Sequence, residues 1–304
     1  MTPRVSVVVP AWNAEAFIEK TLASVAAQTF RDFEVIVVDD GSTDATKEIV
    51  DRFLKSKGLP GRCLRQENKK IAGARNAGIR AAQAELVSFL DHDDLWFPEK
   101  LESVLREFEL HPAVDLVCHH ENVVKNGEIV RVTRNGPWVE NMYERLLFEG
   151  NVLSPSAVTV KKTKLFEAGL FRENPEFNTV EDYDLWMRLA KVCRMRFLDR
   201  VLGEYQLVER GASNKIVYHN TNLENLLRDH FESFPSPDAR TRARMRRRLG
   251  AMCRSAARLL LEQGDLAESG RYARRAAAEC PWDWKNLAVA VLWAAKRLAC
   301  LILH

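Results

Sequence analysis

Between Val5 and about Arg131 the chain alternates short, unbroken apolar runs with stretches of helical periodicity, and this alternation restricts the fold more than any other feature. VSVVV precedes AEAFIEKTLASVAAQ, VIVVD precedes DATKEIVDRFL, the weaker run CLR precedes AGARNAGIRAAQ, and LVSFL precedes PEKLESVLREFEL. Runs of about five apolar residues without polar alternation belong to strands covered on both faces. The expected fold class is therefore α/β, a doubly wound, mostly parallel sheet with helices on both faces. In such sheets the ligand crevice lies beyond the carboxyl ends of the strands.

Three strand ends carry chemistry. Pro10, Ala11, Trp12 and Asn13 follow the first run, Asp39, Asp40, Gly41 and Ser42 the second, and Asp91 to Asp94 the fourth. Ser42, Thr43 and Asp44 read as N-cap residues of the next helix. Capping leaves Asp39 and Asp40 unexplained, and Asp39 is read as accepting a hydrogen bond from a base or ribose. Neither GxGxxG nor GxxxxGK[ST] is present, so a phosphate group calls for a metal ion rather than a glycine cradle. In an extended segment residues i and i+2 point the same way, which lets Asp91 and Asp93 converge on one hard cation, Mg2+ or Mn2+, while Asp94 faces elsewhere. The competing reading is a solvated turn in which Asp94 caps the helix that Pro98 opens. His119, His120 and Glu121 invite a metal reading, but adjacent residues of a strand face opposite ways, so a structural or acceptor-lining role is expected instead.

After Arg131 the pattern changes. ENVVKNGEIVRV reads as a hairpin through Asn126-Gly127, MYERLLF as a short helix, AVTVKK as a strand and TVEDYDLWMRLAKV as a helix with acids in its first turn. From about Tyr218 the chain reads as helix throughout, which divides it into residues 1–215 and an α-helical region 216–304. With 304 residues, 46% of them hydrophobic, the chain is long enough for two such parts. LLLEQGDLAESGRYARRAAAECP reads as one helical hairpin without a second copy. The six cysteines are scattered without a CxxC pair, which points to neither zinc nor a disulfide framework and to a reducing compartment. MTPRVSVVVP reads as a first strand rather than a signal peptide, and LAVAVLWAA is stopped short of a membrane span by Lys296 and Arg297. The expected location is cytoplasmic, with peripheral contact at the inner face of the membrane as an option.

VSVVVPAWNAEAFIEKTLASVAAQTFRDFEVIVVDDGSTD, GARNAGIRAA, VSFLDHDDLWFPEKLE and VEDYDLWMRL resemble, in order and spacing, the successive motifs of the inverting family 2 glycosyltransferases of GT-A fold. The resemblance covers about Val5 to Tyr205. It implies transfer of a sugar from a nucleoside-diphosphate sugar, on the family's pattern a UDP-sugar, to a saccharide or lipid-linked acceptor in surface polysaccharide or glycan biosynthesis. It also implies roles. Pro10 and Trp12 would line the base, Asp39 would meet it, and Arg75 would stand beside the nucleotide. Asp91 and Asp93 would form the DxD pair, with Asp93 the closer ligand of Mn2+ or Mg2+ and His92 facing away. Asp182 would be the general base with Glu181 its neighbour. Acids at a helix start also have a plain reading, since the helix dipole favours them there. Val208 stands near the place where many relatives carry a metal-binding histidine. Either metal binding is looser here, or another group such as His219 substitutes.

Two other functions compete. Phosphoryl transfer of the haloacid dehalogenase type also places Asp-x-Asp after a strand, but that pair follows the first core strand, and Leu95 occupies the place of its Thr or Val. A non-catalytic module could instead dock through its basic tail, where Asp238 to His304 hold fourteen Lys or Arg and six Asp or Glu. Arg240 to Arg248 lack interleaved aromatics, which argues against nucleic acid. Leu249, Met252, Ala256, Leu259 and Leu260 recur at helical spacing beside them, as in a helix lying on an anionic membrane.

Overall fold

Strands β1 (Val5–Ala11) and β2 (Phe33–Asp39) are buried along their whole length, which is why their sequences are apolar without alternation. The computed structural model describes residues 2–207 and 216–302. In the first of two compact units, formed by residues 1–146 and 151–209, the helices α1 (Ile18–Ala26), α2 (Thr46–Lys57) and α3 (Lys70–Ala81) alternate with β2, β3 (Gly61–Arg65) and β4 (Leu86–Phe89). Next come β5 (Leu95–Trp96), α4 (Lys100–Leu110), β6 (Leu116–Lys125), β7 (Glu128–Thr133), α5 (Met142–Glu149), β8 (Val158–Lys161), α6 (Lys162–Glu167), α7 (Glu181–Leu189) and β9 (Met195–Gln206).

One sheet runs in the order β3-β2-β1-β4-β8-β6-β9-β5, with β7 paired to β6. The four strands of its first half are parallel, as expected. Beyond β4 the sheet is mixed, because β8 is antiparallel to both β4 and β6 whereas β9 runs parallel to β6. The order reverses at β1, from which the chain moves first to β2 and later to β4 on the other side. That reversal opens the crevice at the carboxyl ends of these three strands. The glycine of the AGIR stretch is needed for this packing, since a Cβ on Gly78 would lie 2.4 Å from Val8 Cγ1. The Asn126-Gly127 hairpin forms as predicted, with φ of 53° and 84° at the two turn residues.

The second unit comprises residues 147–150 and 210–304, and its described helices are α8 (Ile216–Phe231), α9 (Ala239–Glu262), α10 (Leu266–Glu279) and α11 (Trp284–Ile302). Asp238 and Asp265 cap α9 and α10 by accepting hydrogen bonds from Thr241 N and Glu268 N. Leu249, Met252, Cys253, Ala256 and Leu260 of α9 are buried in this unit with Tyr272, Ala273 and Ala276 of α10. The apolar row expected to meet a membrane from α9 is thus, apart from Leu259, the core of a helical bundle. Two of its arginines are engaged within the unit: Arg244 stacks 3.9 Å over Phe148, and Arg246 donates to Ala278 O and lies over Trp282. Aromatic partners absent from the local sequence come from elsewhere in the unit.

Candidate active site at the strand ends

The ends of β1 and β2 are laced together by small polar groups. Asn13, at φ 48°, donates its backbone N–H to Ser42 Oγ, and its Oδ1 accepts from Thr43 N. Ser42 is therefore a loop clamp rather than a cap, whereas Asp44 accepts from Thr46 N and Thr46 Oγ1 just ahead of α2. Asp40 turns towards the loop between β3 and α3, where it accepts from Gln66 Nε2 and Lys69 N. Asp39 differs. It is fully buried, its Oδ1 accepts from Ser42 N at 3.0 Å, and its Oδ2 has no hydrogen bond, the nearest cation being Arg65 Nε at 3.6 Å. An unmet buried acceptor is a site for a donor group brought by a ligand. Trp12 is 53% exposed at the same edge, and Pro10 O lies 3.2 Å from His92 Nδ1.

Beyond β4 the chain does not stay extended. Asp94 N donates to Asp91 O at 3.1 Å, so Asp91 to Asp94 form a turn, and the alternation argued for Asp91 and Asp93 does not apply. Asp94 does not cap α4 either. It is buried, accepting from Ser156 Oγ at 2.6 Å and from Gln206 N at 3.0 Å, which ties the turn to the end of β9. Burial, followed by Asp93 and Asp91, pushes the Asp94 carboxyl well above its usual range. Asp93 is half-buried and is also pushed up by burial, His92 opposing this and Asp91 adding to it.

Arg75 links this turn to α7. Although it comes from mid-helix in α3, it is 1% exposed and donates from Nη2 to Asp91 Oδ1 at 2.7 Å and from Nη1 to Glu181 Oε1 at 2.8 Å. Its guanidinium also lies 5.3 Å from the centre of the Phe171 ring. Burial works against its charge, but Asp91 and Glu181 more than offset that. Asn76 fixes the same helix by exchanging hydrogen bonds with the backbone of Phe171. Glu181 Oε2 is buried without a hydrogen bond, and burial, partly opposed by Arg75, pushes the carboxyl up to about 7. Asp182 beside it is half-buried and raised by burial, with Arg75 opposing and Asp91 adding. The third acid of that turn is structural: Asp184 is fully buried between Arg172 and Arg188.

Of two further contributors, Ser156 has no signal in the sequence, and Glu121 drew notice only beside the adjacent histidines. Ser156 donates to Asp94 while accepting from Asp91 N, and it comes from a loop ahead of β8. Glu121, on β6, is buried beside Ser154 and Asn135 with neither oxygen in a well-formed hydrogen bond, and burial pushes it up to about 7. His119 and His120 diverge as adjacent strand residues do: His119 is fully buried, whereas His120 Nε2 meets Asp199. Val208 lies outside the described residues, and His219 lies on α8 in the second unit.

The donor set fits a hard divalent cation. Asp93 presents a half-buried carboxyl group, the oxygen donor type such an ion prefers, and Arg75 engages one of the two Asp91 oxygens. Among the described residues no three acidic, histidine or cysteine side chains stand together as a complete metal site, so other positions would fall to phosphate oxygens and water.

A sequence model described as glycosyl transferase family 2 matches residues 6–169. The chain belongs to this family. The amylovoran biosynthesis glycosyltransferase AmsB of Erwinia amylovora is 33% identical over 218 residues, covering 68% of this chain and 71% of the relative. The putative teichuronic acid biosynthesis glycosyltransferase TuaG of Bacillus subtilis (strain 168) is 28% identical over 213 residues, 70% of this chain and 82% of the relative. Against uncharacterised glycosyltransferases of Rickettsia bellii, Rickettsia conorii and Nostoc, the chain spans only 31%, 36% and 47% of the relatives' length. S. aureus TarS 1–349 in complex with UDP-GlcNAc superposes with a TM-score of 0.62 at 22% identity, covering 97% of this chain and 92% of that one. Mannosyltransferase PcManGT from Pyrobaculum calidifontis, in complex with GDP-Man and Mn2+, gives 0.61 at 20% identity, with coverages of 98% and 88%. At these identities the likeness establishes the fold, the GT-A arrangement anticipated for the family.

Proposed function

We propose that this chain is an inverting, metal-dependent glycosyltransferase that moves a sugar from a nucleoside-diphosphate sugar, preferentially a UDP-sugar, to a hydroxyl of a saccharide or lipid-linked acceptor in surface polysaccharide synthesis. The observation that carries this reading is the buried Arg75, which joins the Asp91 turn to the acids opening α7. Family membership and the names of AmsB and TuaG support the substrate class, and the bound UDP-GlcNAc and GDP-Man of the two structural neighbours support the donor class.

In this mechanism Asp39 Oδ2 accepts a hydrogen bond from the base, and Trp12 supplies an aromatic surface against it. Asp93 and Asp91 would hold Mn2+ or Mg2+, which would supply positive charge to the diphosphate oxygens as the bond from the anomeric carbon to the leaving nucleoside diphosphate breaks. Asp182 removes the proton from the acceptor hydroxyl as it attacks the anomeric carbon, and burial, by raising its proton affinity, strengthens it as a base. Glu181 and Arg75 orient that first turn and keep one oxygen of Asp91 occupied.

A thermal-shift panel of nucleotide sugars, with and without Mn2+, tests the donor, because a ligand bound only by the folded state raises its stability. A larger shift with UDP-sugars plus Mn2+ is expected, together with an inverted anomeric centre in the product by NMR. Retention of configuration, or no shift with any nucleotide, would overturn the proposal.

A further inference from the structure

The helical unit carries an apolar face that its own bundle does not cover. In α11 Asn286, Val289 and Trp293 turn inward: Asn286 Nδ2 donates to Ala276 O and Cys280 O, and Trp293 Nε1 donates to Leu266 O at 2.7 Å. The opposite side presents Trp284 at 70% exposure, Leu287 at 48%, Val291 at 67% and Leu298 at 59%. Their spacing of three, four and seven residues sets them in one row along the helix. Leu292, 58% exposed, stands to one side of this row in the direction of Lys285 and Lys296, which lie seven residues before it and four residues after it. Exposed apolar side chains on a soluble protein are normally scattered, and a continuous row rimmed by cations is not.

We infer that α11 docks in the plane of an anionic phospholipid surface, with Trp284, Leu287, Val291 and Leu298 entering the headgroup boundary and Lys285, Lys296 and Arg297 meeting the phosphates. Charge selects this occupant. Trp284 to Ile302 contain no Asp or Glu, so a second copy on this face would bring a rim of like charge against its own, whereas an anionic lipid complements it. The helix lies on the membrane rather than through it. Among the described residues no helix is long and apolar enough to cross, and the inward side of α11 is committed to polar contacts with the bundle. The inference is independent of the donor chemistry.

The test is co-sedimentation of the full chain with phosphatidylcholine vesicles, with and without phosphatidylglycerol, at low and high salt. Binding to the anionic vesicles that falls steeply with salt is expected. Leu287→Gln/Val291→Gln should cut the bound fraction about tenfold, and Lys285→Gln/Lys296→Gln should weaken binding while flattening its salt dependence. All four side chains are exposed, although Lys296 Nζ also donates to Leu261 O of α9 at 2.7 Å, and unchanged helicity by circular dichroism is expected in both variants. Equal and negligible binding of the native chain to both vesicle types overturns the inference, as does undiminished binding of the apolar variant. A lipid-free dimer in the ultracentrifuge that Val291→Gln dissolves would assign the face to a second copy and overturn it too.

Discussion

Arg75 and Glu181, 106 residues apart in sequence, meet in a buried 2.8 Å hydrogen bond, and the other arm of the same guanidinium holds Asp91. One cation thereby braces the turn proposed for the donor against the turn proposed for the acceptor. A buried charge that loses its partner costs far more than an exposed pair gains. Arg75→Met should accordingly destabilise the fold by about 3–5 kcal/mol at pH 8 in urea titrations. The loss should shrink towards pH 5, where Glu181, its carboxyl pushed up to about 7, takes up a proton. A loss that does not depend on pH would mean that Arg75 acts through packing alone.

Asp182→Asn separates binding from chemistry. Asparagine retains size and hydrogen bonding but has no basic oxygen pair, so donor affinity should stay within about twofold while turnover falls about a hundredfold or more. Calorimetry of the nucleotide sugar and steady-state rates on the same variant read the two effects. A parallel loss of both would assign Asp182 to the donor or metal site.

Asp93→Ala should abolish the gain in nucleotide-sugar affinity that Mn2+ confers on the native chain. Calorimetry with and without the ion measures this directly. An undiminished gain would remove Asp93 from the ligand set.

Trp12 is more than half exposed at the rim, so its removal leaves no cavity in the core. If it stacks on a base, Trp12→Ala should weaken the free nucleoside diphosphate by about 1–3 kcal/mol with little change in melting temperature. An unchanged affinity would return it to solvent.

Glu121 gives a pH prediction with a definite sign. Its folded carboxyl is pushed up to about 7 from the ordinary glutamate value of 4.5, so the folded chain binds the proton more tightly than the unfolded chain does. Stability is consequently lost as the pH rises from 4.5 through 7, and the loss is complete above that window. Glu121→Gln cannot ionise and should be more stable than the native chain by about 1–3 kcal/mol at pH 8. The difference should narrow as the pH falls towards 4.5. Stability curves at several pH values check this, and an equal difference at all of them would mean that Glu121 does not titrate in the window.

The parallel half of the sheet was legible in the chain because burial on both faces leaves a local mark, a run such as VSVVV that a one-face strand does not produce. The acids past β2 and β4 could be found by the same logic, since polar residues directly after a core strand stand at the sheet's edge. The detail of the DHDD stretch could not. A two-residue period presupposes extended backbone, and the Asp94 N–H folds back on Asp91 O instead.

The α9 region shows the limit most clearly. Its apolar row has the period of a buried stripe and of a membrane-facing stripe alike, because periodicity reports that one side of a helix leaves water and not what it meets. Sequence alone determined that α9 is amphipathic, that acids gather after the strands, and that the motifs of the family follow in order. Only the tertiary structure decided which stripe the bundle consumes, that Arg75 spans Asp91 and Glu181, and that Ser156 and Glu121 flank the turn. The physical reason is that burial and ion pairing are properties of surfaces brought together across the chain, and the partner of a side chain is not encoded in its neighbours.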